Sequence, residues 1–280
     1  MQSCADCSFE FPLDRTNCPR CARPQLFPNV NFANTTQEQK KLDAGYVQAL
    51  QDADVRGCRV QVDEFDNACR GSAAVFRCTT ERLHRQIGSG TDLFETYYQL
   101  EQLRLRTDPS SGLDFQKLRP QAEIELLGNE KYAGKLHYAC LSLDGQGIPS
   151  YGDCVVQLDE RWIAHRASCF EGNTAVIYKA NATFSDKLRS DWRNRHKLCV
   201  AIRSCDVDPS TADRDFPEIL ARAGATAEDD IFIEVHLLGD MVSSTFQSVH
   251  FTGACSNRRD EVYREAIIEQ LTAAGVAATS

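Results

Sequence analysis

Apolar residues recur at four-residue intervals from Thr36 onward. Leu42, Tyr46 and Leu50 share one face of QEQKKLDAGYVQALQDA, which predicts an amphipathic helix of roughly 15 residues. Gly57 stops it. The alternating CRVQV that follows reads as a short strand, and Asp63 to Asn67 as a polar turn. Ala73-Ala74-Val75-Phe76-Arg77-Cys78 reads as a buried strand, and TTERLHRQI after it as a helix broken by the Gly-Ser-Gly of 88–90. Asp92, with Glu95 three residues on, forms a capping box for another helix whose stripe is Leu93, Tyr97 and Leu100. DPSSG at 108–112 is a turn. Helical patterning resumes over 113–127 and is interrupted at Pro120. Residues 37–130 therefore read as a mainly helical part of the body.

Beyond residue 130 the period shortens. KLHYACLSL (135–143), GDCVVQL (152–158) and RWIAHRASCF (161–170) are strand-like, joined by loops rich in Gly, Pro and Ser. A long helix after Ser185 gathers Leu188, Trp192, Cys199 and Ile202 on one face, and FPEILARAG is a short helix ending at Gly224. IFIEVHLLG (231–239) is the strongest strand and TFQSVHF (245–251) the next. A C-terminal helix opens near Asn257, with Val262, Tyr263, Ala266, Ile267 and Leu271 as its apolar face and AAGVAATS as a frayed tail. Helices first and strands later predict an α+β fold, with a mixed or antiparallel sheet over 131–280.

The 280 residues leave room for one large or two modest domains, and 42% apolar content suits a packed core. No window approaches 18 consecutive apolar residues, so no membrane partner is expected. MQSCADC has neither a basic nor an apolar leader region, which predicts a cytoplasmic protein. A net charge of −9 opposes a general nucleic-acid coat.

Of 13 cysteines, four have metal-ligand spacing: Cys4-x-x-Cys7, ten intervening residues, then Cys18-x-x-Cys21. Two such knuckles set four thiolates around one structural Zn²⁺. A module of about 25 residues needs that metal, because it cannot bury enough apolar surface to fold unaided. Phe9, Phe11 and Leu13 alternate between the knuckles as a short strand. Residues 1–26 resemble a zinc ribbon, and 27–36, with their asparagines and Pro28, read as a linker or an arm laid over the body. The other nine cysteines are expected to be reduced and buried.

Three places in the body carry candidate chemistry. In IFIEVHL, Ile231, Ile233, Val235 and Leu237 point to one side, and Phe232, Glu234 and His236 to the other. That sets a carboxylate and an imidazole about 7 Å apart along the strand. The pair is either a solvated sheet face or a catalytic acid and base. The second place is DGQGIPSYG, Tyr151 included, followed by His165, Arg166 and Ser168, where glycines allow close backbone approach and Arg166 suits a phosphate or carboxylate. Glu171 and Asn173 close that segment. The third is the cationic run Lys187, Arg189, Arg193, Arg195, His196 and Lys197, read as a solvated helix face or a nucleic-acid patch.

Arg77 or Arg85 early, Arg166-Ala167-Ser168 in the middle and Phe232-Ile233-Glu234-Val235-His236 late give the body a resemblance to bacterial ADP-ribosyltransferase-like effector domains. The resemblance implies NAD as cofactor, an arginine on its pyrophosphate (Arg166 or Arg85), and Glu234 orienting the nicotinamide ribose. His236 stands where an arginine-specific transferase has a second Glu, and Tyr151 falls at the rim. The expectation is a zinc-ribbon enzyme transferring ADP-ribose from NAD to a protein or nucleic-acid target. A non-catalytic nucleic-acid- or protein-binding module, or a metal-independent nuclease using His236 and Glu234, are its alternatives.

Overall fold

The computed structural model describes residues 2–3, 7, 9–11, 18–22, 27–88, 93–96, 99, 113–127, 132, 134–255 and 257–279. Asp92, Tyr97, Leu100 and the 108–112 turn lie outside them, as do Cys4 and Leu13. In the head, β1 (Gln2–Ser3) pairs antiparallel with β2 (Glu10–Phe11). The body begins with α1 (Pro28–Ala33), α2 (Thr36–Arg56), α3 (Arg59–Arg70), β3 (Ala73–Cys78) and α4 (Thr80–Gly88). Then come α5 (Leu113–Leu127), β4 (Leu136–Ser142), β5 (Cys154–Leu158), α6 (Glu160–Ile163), β6 (Ala167–Phe170) and α7 (Thr174–Asn181). The chain finishes with β7 (Arg189–Asp191), α8 (Arg195–Arg203), α9 (Phe216–Leu220), β8 (Glu234–Leu238), β9 (Phe246–Phe251), α10 (Arg258–Ala273) and β10 (Ala277–Thr279).

The fold is α+β. One open, mixed sheet of eight strands runs in the order β10-β9-β5-β3-β4-β8-β6-β7, antiparallel except for the β9/β10 pair. Alternation along each strand sorts side chains to two faces. Ala74, Phe76, Leu141, Val156, Cys169, Val235 and Leu237 form the larger core, packed under α2, α3, α4, α8 and α10. Glu234, His236, Leu238, Tyr138, Ser168 and Phe170 share the other face, as their register requires. There α1, α5 and α7 lie across the sheet. Both faces are thus covered over β8. No helix among the described residues is long and apolar enough to cross a membrane.

Several local expectations change. CRVQV belongs to α3: the buried positions are Val62, Phe65, Asp66 and Cys69, a helical spacing that outweighs the short alternation, and Val60 is exposed. Helix α5 runs through Pro120 instead of stopping there. RWIAHRASCF divides into a helical turn, capped by Asp159 accepting from the Arg161 backbone N–H, and then β6. The helix expected after Ser185 starts only at Arg195; Arg189–Asp191 is an edge strand, and the Asp191 side chain caps the turn that follows it. The arm at 27–36 is helical, with Asn29 buried. In α10, Val262 faces solvent while Arg264, Ile267 and Leu271 face inward. The tail is not frayed: Gly275, at φ 80°, turns the chain so that β10 pairs with β9.

Candidate functional site

The polar side of β8 lies in a buried ionic cluster. Register sets Tyr138 of β4 and Ser168 of β6 on either side of His236, and Cys140 and Phe170 on either side of Glu234. The His236 ring nitrogen Nε2 is 3.0 Å from Glu234 Oε2. The same oxygen accepts from the Thr174 backbone N–H at 2.9 Å and the Thr174 hydroxyl at 2.6 Å. Thr174 opens α7, so the carboxylate sits at the positive end of that helix.

Above this pair, α5 supplies Arg119 and Glu123, one helical turn apart. The Arg119 guanidinium lies 4.3 Å over the Tyr138 ring, and the Tyr138 ring meets His236 edge-on at 5.5 Å. Glu123 accepts from the Tyr138 hydroxyl and from the Gly134 N–H. Burial alone would raise the Glu234 pKa, but the His236 hydrogen bond, the His236 and Arg119 charges and the Thr174 bond hold it below the ordinary carboxylate range. Glu123 moves the opposite way, because burial outweighs its hydrogen bonds. Burial and then Glu123 push Tyr138 well above its usual value. Desolvation works against the charge of the half-buried Arg119, yet Tyr138, Glu234 and Glu123 hold it more firmly charged than usual. Glu234 and His236 are 3% and 1% exposed. Sequence reading missed Arg119, Glu123, Tyr138 and Thr174. The i, i+4 spacing of Arg119 and Glu123, and Tyr138 on the alternate side of LHYACLS, were the signals available.

The other expected ligand residues are spent within the fold. Arg166 donates to the carbonyls of Trp162, Leu238 and Asp240, tying β6 to the end of β8. The Ser168 hydroxyl lies 3.1 Å from the Asn29 amide nitrogen, which also reaches the carbonyls of Arg166 and His236. Arg85 pairs with Glu95 at 3.5 Å and belongs to α4, whose Leu83 packs against the sheet face opposite Glu234. Tyr151 is half-buried, edge-on to Phe232 at 6.4 Å, in an apolar cluster over Val75 and Val155. The glycines near it serve the sheet: a Cβ on Gly152 would lie 2.3 Å from the Cys78 carbonyl, and one on Gly147 2.9 Å from Val75. Arg77 donates to the Thr252 hydroxyl.

The cationic run does not form one surface. Arg189 lies between Phe32 and Phe170 beside Glu38, and Arg195 donates to the Arg70, Ser72 and Trp192 carbonyls. His196 is buried, Lys187 pairs with Glu171, and Lys197 pairs with Asp43 at 2.7 Å. Arg193 faces solvent.

In the head, the sulfurs of Cys7, Cys18 and Cys21 all lie within 4.8 Å of one another, which is the metal-ligand cluster found among the described residues. Cys7 and Cys18 are 3.6 Å apart. A tetrahedron with Zn–S bonds of about 2.3 Å has an edge of about 3.8 Å, whereas a disulfide needs about 2.05 Å. The spacing fits a shared ion. The Arg20 N–H points at Cys18 Sγ from 3.4 Å, and Ala22, at φ 58°, closes the turn in the left-handed region. Set against known proteins, the chain matches no family model and no curated sequence, the ADP-ribosyltransferases included.

Proposed function

We propose that the chain is a zinc-stapled binding module: a cysteine-held head carried on an α+β body, acting by engaging a protein partner. The observation that carries this reading is the sealing of Glu234 and His236, whose polar atoms engage each other and Thr174 beneath α5. Cys7, Cys18 and Cys21, with Cys4 as the fourth thiolate, would hold Zn²⁺ and give the head its stability. A protein suits the surface better than nucleic acid does. The net charge is −9, and Arg189 and Arg195 are turned inward. Phe9 in the head and Trp162 on α6 are exposed, as anchors for a protein partner would be.

Metal analysis of the full chain should find stoichiometric zinc, falling towards nil in Cys18→Ser. Labelled DNA and RNA should not be retained at near-physiological salt. Protein crosslinks formed in a native extract should include head residues and be lost in Cys18→Ser. Salt-sensitive retention of an oligonucleotide, reduced by Arg193→Glu, would overturn the choice of partner.

One observation favours a second reading, NAD-dependent ADP-ribose transfer. Glu234 is held ionised with an arginine, Arg119, supplied from distant sequence. Labelled NAD offered with mixed protein and nucleic-acid acceptors separates the two readings. Label that disappears in Glu234→Gln replaces the first reading with the second. RNA cleavage without NAD, lost in His236→Ala, would point to a nuclease instead.

A further inference from the structure

Nine cysteines lie in the body, and two of them face each other across the sheet. Cys78 is the last residue of β3 and Cys154 the first of β5, and the antiparallel register makes them direct partners. Such partners have Cα atoms about 4.5–5.5 Å apart, inside the range that a disulfide spans. Both thiols are buried, yet they sit at the end of their strands beside the exposed Thr79 and the half-exposed Asp153.

The surroundings favour a thiolate at Cys78. Helix α4 starts two residues later, and Arg82 in its first turn adds a positive charge near the sulfur, while the Thr80 N–H at the start of the helix is taken by Asp153. Interaction with the Cys154 thiol, opposed by burial and by Asp153 and aided by Arg82, holds Cys78 below the ordinary thiol range. Burial, and then the Cys78 sulfur, push Cys154 up.

Cys154 has its own proton path. The Thr80 hydroxyl donates to Asp153 Oδ2 at 2.5 Å, so the 3.5 Å contact between Thr80 Oγ1 and Cys154 Sγ has the thiol as donor. Asp153 is held charged, because Thr80 and Arg264 outweigh its burial.

We infer that Cys78 and Cys154 form a peroxide-reactive modification site, with Cys78 as the attacking sulfur and Cys154 as the resolving one. The Cys78 thiolate attacks the terminal oxygen of a hydroperoxide; the O–O bond breaks, Cys78 becomes a sulfenic acid, and the alkoxide leaves and takes a proton from water to become the alcohol. Cys154 gives its proton towards Thr80 and Asp153 and attacks that sulfur. The S–O bond breaks, water leaves, and the S–S bond closes. Two thiols lose two electrons and the hydroperoxide gains them.

The test exposes the reduced full chain to hydrogen peroxide, blocks remaining thiols after denaturation, and maps cysteine peptides without reduction. A linked Cys78–Cys154 peptide, lighter by two hydrogens, should form before blocking is lost at the buried Cys58 and Cys140. Cys154→Ala should leave Cys78 as a sulfenic acid trapped by a 1,3-dicarbonyl probe. The wild-type map decides the matter if that variant fails to fold. Oxidation of the exposed Cys205 and Cys255 while Cys78 and Cys154 stay blockable would overturn the inference, as would either one bridging a different cysteine.

Discussion

Replacing Glu234 by Gln keeps the shape of the buried side chain and removes its charge. Gln retains one oxygen for Thr174, so the amide and hydroxyl bonds there fall from charge-assisted to neutral, about 0.5–1.5 kcal/mol each. The His236 contact loses its ionic partner, and Arg119 keeps a half-buried positive charge facing one carboxylate fewer. A total of ~3 kcal/mol follows, equivalent to about 6–12 °C in melting temperature for a domain of this class. Urea unfolding at pH 7 reads it directly, as a lower midpoint at unchanged slope. The pH dependence carries a sign. Glu234 has a folded pKa below its unfolded one, so its contribution is complete above the unfolded value and fades as pH falls through the folded value. The gap between wild type and Glu234→Gln should therefore narrow in acid. A variant within ~0.5 kcal/mol of wild type at pH 7, or a gap that widens in acid, would refute the picture of a structural ion cluster.

Four other outcomes are expected. Glu123 is shifted upward, so its contribution is present below the unfolded pKa and lost as pH rises through the folded one; Glu123→Gln should gain stability relative to wild type towards neutral pH, in the same urea assay. Asn29→Ala strips the amide shared by the Arg166 and His236 carbonyls and Ser168, and should cost about 2–3 kcal/mol by thermal melting, where a mere linker residue would cost nothing. Ala22→Gly relieves a left-handed alanine in the cysteine turn and should tighten zinc by ~1 kcal/mol, about fivefold, in chelator competition. Gly152→Ala drives a methyl into the Cys78 carbonyl at φ 142°, and should abolish soluble expression or lower the unfolding free energy from urea titration by more than ~3 kcal/mol.

The legible parts of this chain were those where one local period dominates. Residues 231–238 alternate cleanly, and the side assigned to Val235 and Leu237 is the larger core. What the alternation left open was what covers Glu234 and His236, because that depends on α5 and α7, remote in sequence. Asn29 was illegible for the same reason. Its neighbours are loop formers, and its purpose is three acceptors supplied by β6 and β8. The cationic run misled because charge was counted along the chain. Arg189 and Arg195 have stems long enough to carry their guanidinium groups back to carbonyls and aromatic rings. The glycine-rich loop resembles a ligand cradle in composition, but the backbone it approaches is its own β3.

The middle position of β3 matters for making and dissecting this protein. Its two neighbours, β4 and β5, lie some 60 and 80 residues further along the chain, so on the ribosome β3 waits as an unpaired hydrophobic segment until both have emerged. A recombinant fragment cut near residue 130 would keep that segment and lose both strands that pair with it. Such a piece should aggregate, whereas cutting ahead of α1 leaves the sheet whole.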